Sequence, residues 1–254
     1  MSKRFKGKTC VYCGAAPSTT TGDHVFAREF FINARRGNLP KVPACEACNH
    51  KKSKLEHYLT AALPFGGRHA DSAQNLSTLV EPRLAKNAKL HNALSAGQGR
   101  VRSREGALLV PVSTLPIDGD KIDRLFEFVV KGLLWHHWNV ILEPGRHGQW
   151  AGFLTPVGVQ FHRQFFAMNS NARVSANLGE GTFTYEGVQG TDIPEMSVWL
   201  LNVYGGMKLS GDPQAPHEEC SIIGGVTATR EGLAKFLSLL NRDLRPAAQL
   251  RQTG

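Results

Sequence analysis

Apolar residues recur at helical spacing most clearly over residues 120–138. Ile122, Leu125, Phe126, Val129, Leu133 and Leu134 fall on one stripe, so a helix with one buried face is predicted there. A second helix is predicted over 231–244, with Leu233, Phe236, Leu237 and Leu240 on one side. Shorter patterns predict helices over 83–94 and 48–62, the latter stopped by Pro64-Phe65-Gly66-Gly67. After Pro144-Gly145 the period falls to two. Val174, Ala176 and Leu178 alternate with polar residues, as do Phe183 and Tyr185, and Gly179-Glu180-Gly181 between them reads as a hairpin turn. The apolar run 196–204 reads as a buried strand broken by Gly205-Gly206. Residues 23–26, 107–112 and 222–223 read as short strands. Residues 1–9 are expected to be a mobile basic arm, 17–22 and 33–40 loops, 66–73 a linker, 97–104 a basic turn and 245–254 a frayed end.

The chain has 254 residues, 41% of them hydrophobic, enough to bury a core. Its 26 glycines and 13 prolines punctuate short apolar runs. The expected fold class is α+β, with a small N-terminal module at 1–65 and a mixed α+β domain at 66–254. No apolar run approaches the roughly 18 residues of a membrane span. The basic N-terminus leads into cysteines with no apolar signal segment, so a cytoplasmic protein without a membrane partner is expected.

Four of the five cysteines form two Cys-x-x-Cys knuckles, Cys10/Cys13 and Cys45/Cys48. This spacing argues for a metal in a reducing compartment rather than a disulfide framework. Four thiolates can close a tetrahedral Zn²⁺ site with no open position, so the zinc is expected to hold structure. Cys220 stands alone and is assigned no role. The net charge of +9 is concentrated: residues 1–60 carry eleven Lys/Arg against four Asp/Glu, a local +7. That field suits a polyanion, whose condensed counterions are released on binding.

Between and just after the knuckles lie Asp23-His24-Val25, Asn38-Leu39, Val42-Pro43-Ala44 and Asn49, followed by Ser53-Lys54-Leu55-Glu56. Taken together with the cysteines, these elements resemble the zinc-bearing form of the HNH endonuclease family over about the first 60 residues. The resemblance implies a ββα-metal fold, two strands and a helix around a divalent cation. It implies His24 as general base, Asp23 and Asn49 as ligands of a catalytic Mg²⁺ or Mn²⁺, and Asn38 as a brace for the loop and the histidine. A neutral imidazole can accept a proton from water near pH 7, which suits that role. Helix neighbours diverge by about 100°, so Asn49 and His50 cannot both face one ion; Asn49 is preferred for its place directly after the knuckle, and His50 is the second choice. Arg28, Arg35, Arg36, Lys51, Lys52 and Lys54 are candidates for phosphate contact, although the lysine run would also suit a solvated helix face.

Elsewhere, His136-His137 reads as a helix end near the C-terminal dipole. Trp150, Phe161, Phe165, Phe166 and Tyr204 read as core, and His217-Glu218-Glu219 as loop. The expectation is a metal-dependent DNA endonuclease that nicks, or cuts both strands if two copies pair as a homodimer. The alternatives are a non-catalytic zinc-knuckle nucleic-acid-binding module and a partner-dependent subunit of a mobile-element or anti-phage defence system.

Overall fold

A computed structural model describes residues 3–15, 21–105, 108–169, 172–207, 210–212, 215–219 and 222–243. The expectations for Cys220, for most of the loop 17–22 and for the tail 245–254 lie outside these residues.

The chain is mixed α and β. Strands β1 (Thr21–His24) and β2 (Lys41–Ala44) pair antiparallel, Asp23 opposite Val42 and His24 opposite Lys41, and α1 (Glu46–Ala62) follows directly. Next come three short helices, α2 (Ala70–Asn75), α3 (Glu81–Lys86) and α4 (Ala88–Ser95). A π-helical turn, Leu76–Val80, joins α2 to α3. Strands β3 (Gly99–Glu105) and β4 (Leu108–Thr114) form a two-stranded ribbon, and α5 (Gly119–Trp138) follows. The remainder comprises β5 (His147–Leu154), α6 (Pro156–Met168), β6 (Arg173–Leu178), β7 (Phe183–Gln189), β8 (Ser197–Val203), a small ladder of β9 (Ser210–Asp212) with β10 (Ala215–Glu219), β11 (Ile222–Thr229) and α7 (Arg230–Asp243). The principal sheet has the order β5-β11-β8-β7-β6, every neighbour antiparallel.

Strand alternation sends side chains into two cores, one on each face of this sheet. Leu154, Val198, Leu200 and Val226 meet Phe161, Phe166, Phe236 and Leu240 of α6 and α7. On the opposite face, Ala151, Tyr185, Trp199, Leu201, Val203 and Ile223 meet Ile122, Phe126, Val129, Val130 and Leu133 of α5. The approach of α5 is close: a Cβ at Gly225 would lie 2.3 Å from Val130 Cγ1. The second core also takes in Cys10, Val25, Phe26, Phe30, Phe31 and Val42. One core therefore runs across the boundary expected at residue 65.

Several expectations are corrected. Residues 66–73 are not a linker: the Arg68 and His69 N–H groups donate to the Tyr204 carbonyl, and Asp71 and Ser72 are buried at the start of α2. The helix expected over 83–94 breaks at Asn87 (φ −131°, ψ 81°), whose side chain accepts from the Leu90 N–H and caps α4. Residues 97–104 hold strand β3 rather than a turn, and His217–Glu219 lie in β10. Helix α6 occupies part of the region read as strands; Thr155 caps it and Pro156 opens it. The basic arm is anchored by Phe5, which is buried with its ring centroid 6.2 Å from that of Trp135. Gly22 leaves room for that ring, since a Cβ there would come within 2.5 Å of it. Among the described residues, no helix is long and apolar enough to cross a membrane.

His162 is fully buried on α6, with Nδ1 2.9 Å from the Gly158 carbonyl and Nε2 without a protein partner. Burial pushes its pKa down to about 4. A histidine lowered in the fold contributes stability that is present above its unfolded value near 6.5 and lost as pH falls through 4. Roughly 3 kcal/mol is at stake, at about 1.4 kcal/mol per unit. Urea melts at pH 7 and pH 4 should therefore show a smaller acid loss in His162→Phe than in the wild type. An equal loss in both would refute the assignment.

Candidate metal centre and the buried carboxylate beside it

The first knuckle is a tight turn. The Gly14 N–H bonds the Cys10 carbonyl at 2.9 Å, with Gly14 at φ 69°. The second knuckle opens α1: Cys45 occupies the N-cap position and Cys48 lies in the first turn. The β1–β2 pairing and the Val11 N–H to Pro43 carbonyl bond (3.1 Å) bring the two turns together. The four sulfurs lie within 4.8 Å of one another, and no other group of three or more His, Cys, Asp or Glu side chains so placed occurs among the described residues. Cys13 Sγ and Cys45 Sγ are 3.8 Å apart. Tetrahedral zinc with bonds of about 2.3 Å spaces its sulfurs by about 3.8 Å. The Cys45 N–H also points to Cys10 Sγ at 3.4 Å. The cluster is thus compatible with a closed zinc site. Burial raises the pKa of Cys10 and Cys48, so without metal those two thiols hold their protons and a dication must release them.

Beside the cluster lies a buried polar group built around Asp23, which is 8% exposed. Its Oδ2 accepts a 2.5 Å hydrogen bond from the hydroxyl of Tyr12, a knuckle residue, and stands 3.1 Å from Lys52 Nζ. Lys52 is 0% exposed; its ammonium also donates to the His24 carbonyl at 2.7 Å and to Glu56 Oε1. Burial raises the Glu56 pKa, and the Lys52 charge opposes that rise. Burial and then the Asp23 charge hold the Tyr12 phenol well above its usual value, which keeps it a proton donor.

The other sequence-derived candidates fall into three sets. His24 follows Asp23 at the end of β1 and is half-buried; burial first, then the Lys41 charge, lowers its pKa, with Asp23 opposing. It is therefore neutral at pH 7. Asn49 precedes Lys52 by three residues and so shares its face of α1 one turn earlier, whereas His50 is exposed and turned away by the helical increment. Asn38 is exposed at φ 55°, a left-handed conformation that asparagine tolerates, and makes the turn leading back to β2.

Among the expected phosphate contacts, Arg28, Lys51 and Lys54 are exposed. Lys52 is a correction, because its ammonium is enclosed by the Asp23 and Glu56 carboxylates and cannot reach a phosphate. Arg35 is committed to Asp71 at 2.5 Å and Glu180 at 2.6 Å, and Arg36 Nε donates to the Phe31 carbonyl at 3.0 Å. Both hold the loop between the strands rather than stand free. Sequence reasoning missed Tyr12 and Glu56. Glu56 carried a visible signal, the i, i+4 spacing from Lys52, whereas Tyr12 carried none.

No protein-family description matches the chain, and neither a curated protein nor a solved structure matches it.

The protein should contain one zinc per chain by elemental analysis. Cys45→Ser should lose the metal and, with it, the cooperative melt. Structural zinc sites contribute apparent binding energies of about 10–16 kcal/mol, comparable to a domain's whole stability. An unchanged melting curve in metal-free protein would refute a structural role.

Proposed function

We propose that the chain is a metal-dependent nuclease of the HNH type that hydrolyses phosphodiester bonds in DNA. One observation carries this reading: two short strands and a helix, joined at a four-cysteine cluster, set the Asp23 carboxylate and the His24 carbonyl against Lys52 of α1, one turn beyond Asn49. The donor chemistry suits a hard cation. Asp23 and Asn49 offer oxygen atoms, and Mg²⁺ or Mn²⁺ commonly takes one or two protein oxygens, keeps several waters and accepts substrate phosphate oxygens. Such an ion, when bound, would compensate charge on the phosphate and the leaving oxygen. His24, neutral at pH 7, takes the proton of the attacking water. Asn38 shapes the return to β2, and Arg28, Lys51 and Lys54 offer exposed cations to the backbone of the nucleic acid. Strand β3 carries Arg100, Arg102 and Arg104 in a two-stranded ribbon, an element whose width suits a DNA groove.

A second reading is favoured by the ion pair at Asp23. Lys52 already neutralises this carboxylate, which weakens its attraction for a dication and suits a zinc-knuckle module that binds nucleic acid without cutting it.

Supercoiled plasmid separates the two readings. With Mg²⁺ or Mn²⁺ the protein should relax or linearise it, EDTA should stop the reaction, and His24→Ala should slow it by about 100-fold or more. The acid limb of the rate profile should lie below the ordinary histidine value of about 6.5. A salt-sensitive DNA shift with no cleavage in either cation would discard the nuclease and leave the binding module.

A further inference from the structure

We infer that Tyr12 is a positioning residue that ties the cysteine cluster to the Asp23 carboxylate, so that the state of the zinc knuckle reaches the candidate cation site through one side chain. The inference rests on the nuclease reading for its functional consequence and on hydrogen-bond geometry for its substance.

Tyr12 lies between Cys10 and Cys13, and all three of its parts are fixed. Its ring is buried, 5% exposed, and meets the edge of Phe128 at 4.9 Å between centroids. Its carbonyl accepts from Lys131 Nζ of α5 at 3.0 Å. Its hydroxyl donates to Asp23 Oδ2 at 2.5 Å. The tyrosine is therefore held by the knuckle on one side and by α5 on the other, and it delivers the resulting position to a single carboxylate oxygen.

That oxygen has a second neighbour, the cationic Lys52 Nζ at 3.1 Å, which is held in turn by the His24 carbonyl and Glu56. An aspartate side chain has two rotatable bonds. Convergence of a phenol and an ammonium on Oδ2 fixes the orientation of the carboxylate and leaves Oδ1 as the oxygen to which the nuclease reading assigns the ion. The phenol is the part that depends on the cysteines, because its backbone is the turn whose sulfurs gather around the metal. Partners that orient a ligand from outside the coordination shell commonly change metal affinity by about 10–100-fold when removed.

Tyr12→Phe removes one oxygen and keeps the ring. Elemental zinc, thermal melting and Mn²⁺ affinity by electron paramagnetic resonance should be measured on the full chain, together with plasmid cleavage. One zinc and an intact melt are expected, with Mn²⁺ binding about tenfold weaker or more. In an Asp23→Asn background the same substitution should add no further loss, because the carboxylate it acts through is already gone. Unchanged Mn²⁺ affinity and cleavage in Tyr12→Phe would overturn the inference while leaving the nuclease reading intact. Loss of zinc from Tyr12→Phe would also overturn it, since the hydroxyl would then be holding the knuckle itself. A wild type that neither binds Mn²⁺ nor cleaves would remove the nuclease reading and this inference with it.

Discussion

Two cysteine turns whose sulfurs meet across 32 residues of chain are the constraint on which the N-terminal half depends. Closing a loop of that length costs conformational entropy, which a zinc ion held by the four sulfurs would offset. Closure decides several features together. It sets β2 beside β1, fixes where α1 begins, and lays the next turns of that helix against the end of β1. Lys52 can reach Asp23, Glu56 and the His24 carbonyl only because the helix is launched from the knuckle in this direction. The buried ion pair follows from the cluster. By itself such a pair is weak evidence of stability, because desolvation offsets much of the attraction between its charges.

The N-terminal strands and loop do not stand apart from the sheet. Phe26, Phe30 and Phe31 surround Phe183 with ring centroids 5.0–5.6 Å away, and Phe26 stacks on Tyr185 at 5.9 Å. Gly132 of α5 receives Val25, whose Cγ2 would be 2.9 Å from a Cβ placed there. A polar seam closes the same contact: Asn75 and the Tyr204 hydroxyl both donate to the Phe30 carbonyl, and Asp71 accepts from Arg35 and Thr182. Satisfying these buried groups mutually is what makes their burial tolerable.

Periodic elements were the legible part of the chain. Helix α5, the β6–β7 hairpin, β8 and α7 follow apolar stripes long enough to identify them, and the cysteine spacing announced the cluster. Where composition and geometry disagreed, the reading failed. Strand β3 is so rich in arginine that its alternation was masked by charge. The glycines before α2 suggested a linker, although Gly67 is glycine because its neighbours crowd it: a Cβ would lie 2.6 Å from that of Ser72 and 2.8 Å from that of Tyr204. Around the candidate site, the Asp-His pair and Asn49 were picked out by resemblance, and the helical increment said only that Asn49 and His50 cannot both face one ion. Lys52 was not, since one lysine in a run of basic residues gives no sign of which member turns inward. That depends on the angle between α1 and β1, a tertiary quantity.

The phenylalanines that join the N-terminal segment to the sheet also set the smallest piece of this chain that can stand alone. Residues 1–65 separated from the rest would present Phe26, Phe30 and Phe31 to water, with Val25 facing a missing helix, and would lose the α5 lysine that holds the Tyr12 carbonyl. A contiguous aromatic patch of this kind drives association. The cysteine cluster could still form in such a fragment, yet its surface would be adhesive, so evolution could exchange this segment between proteins only together with a surface that covers those rings.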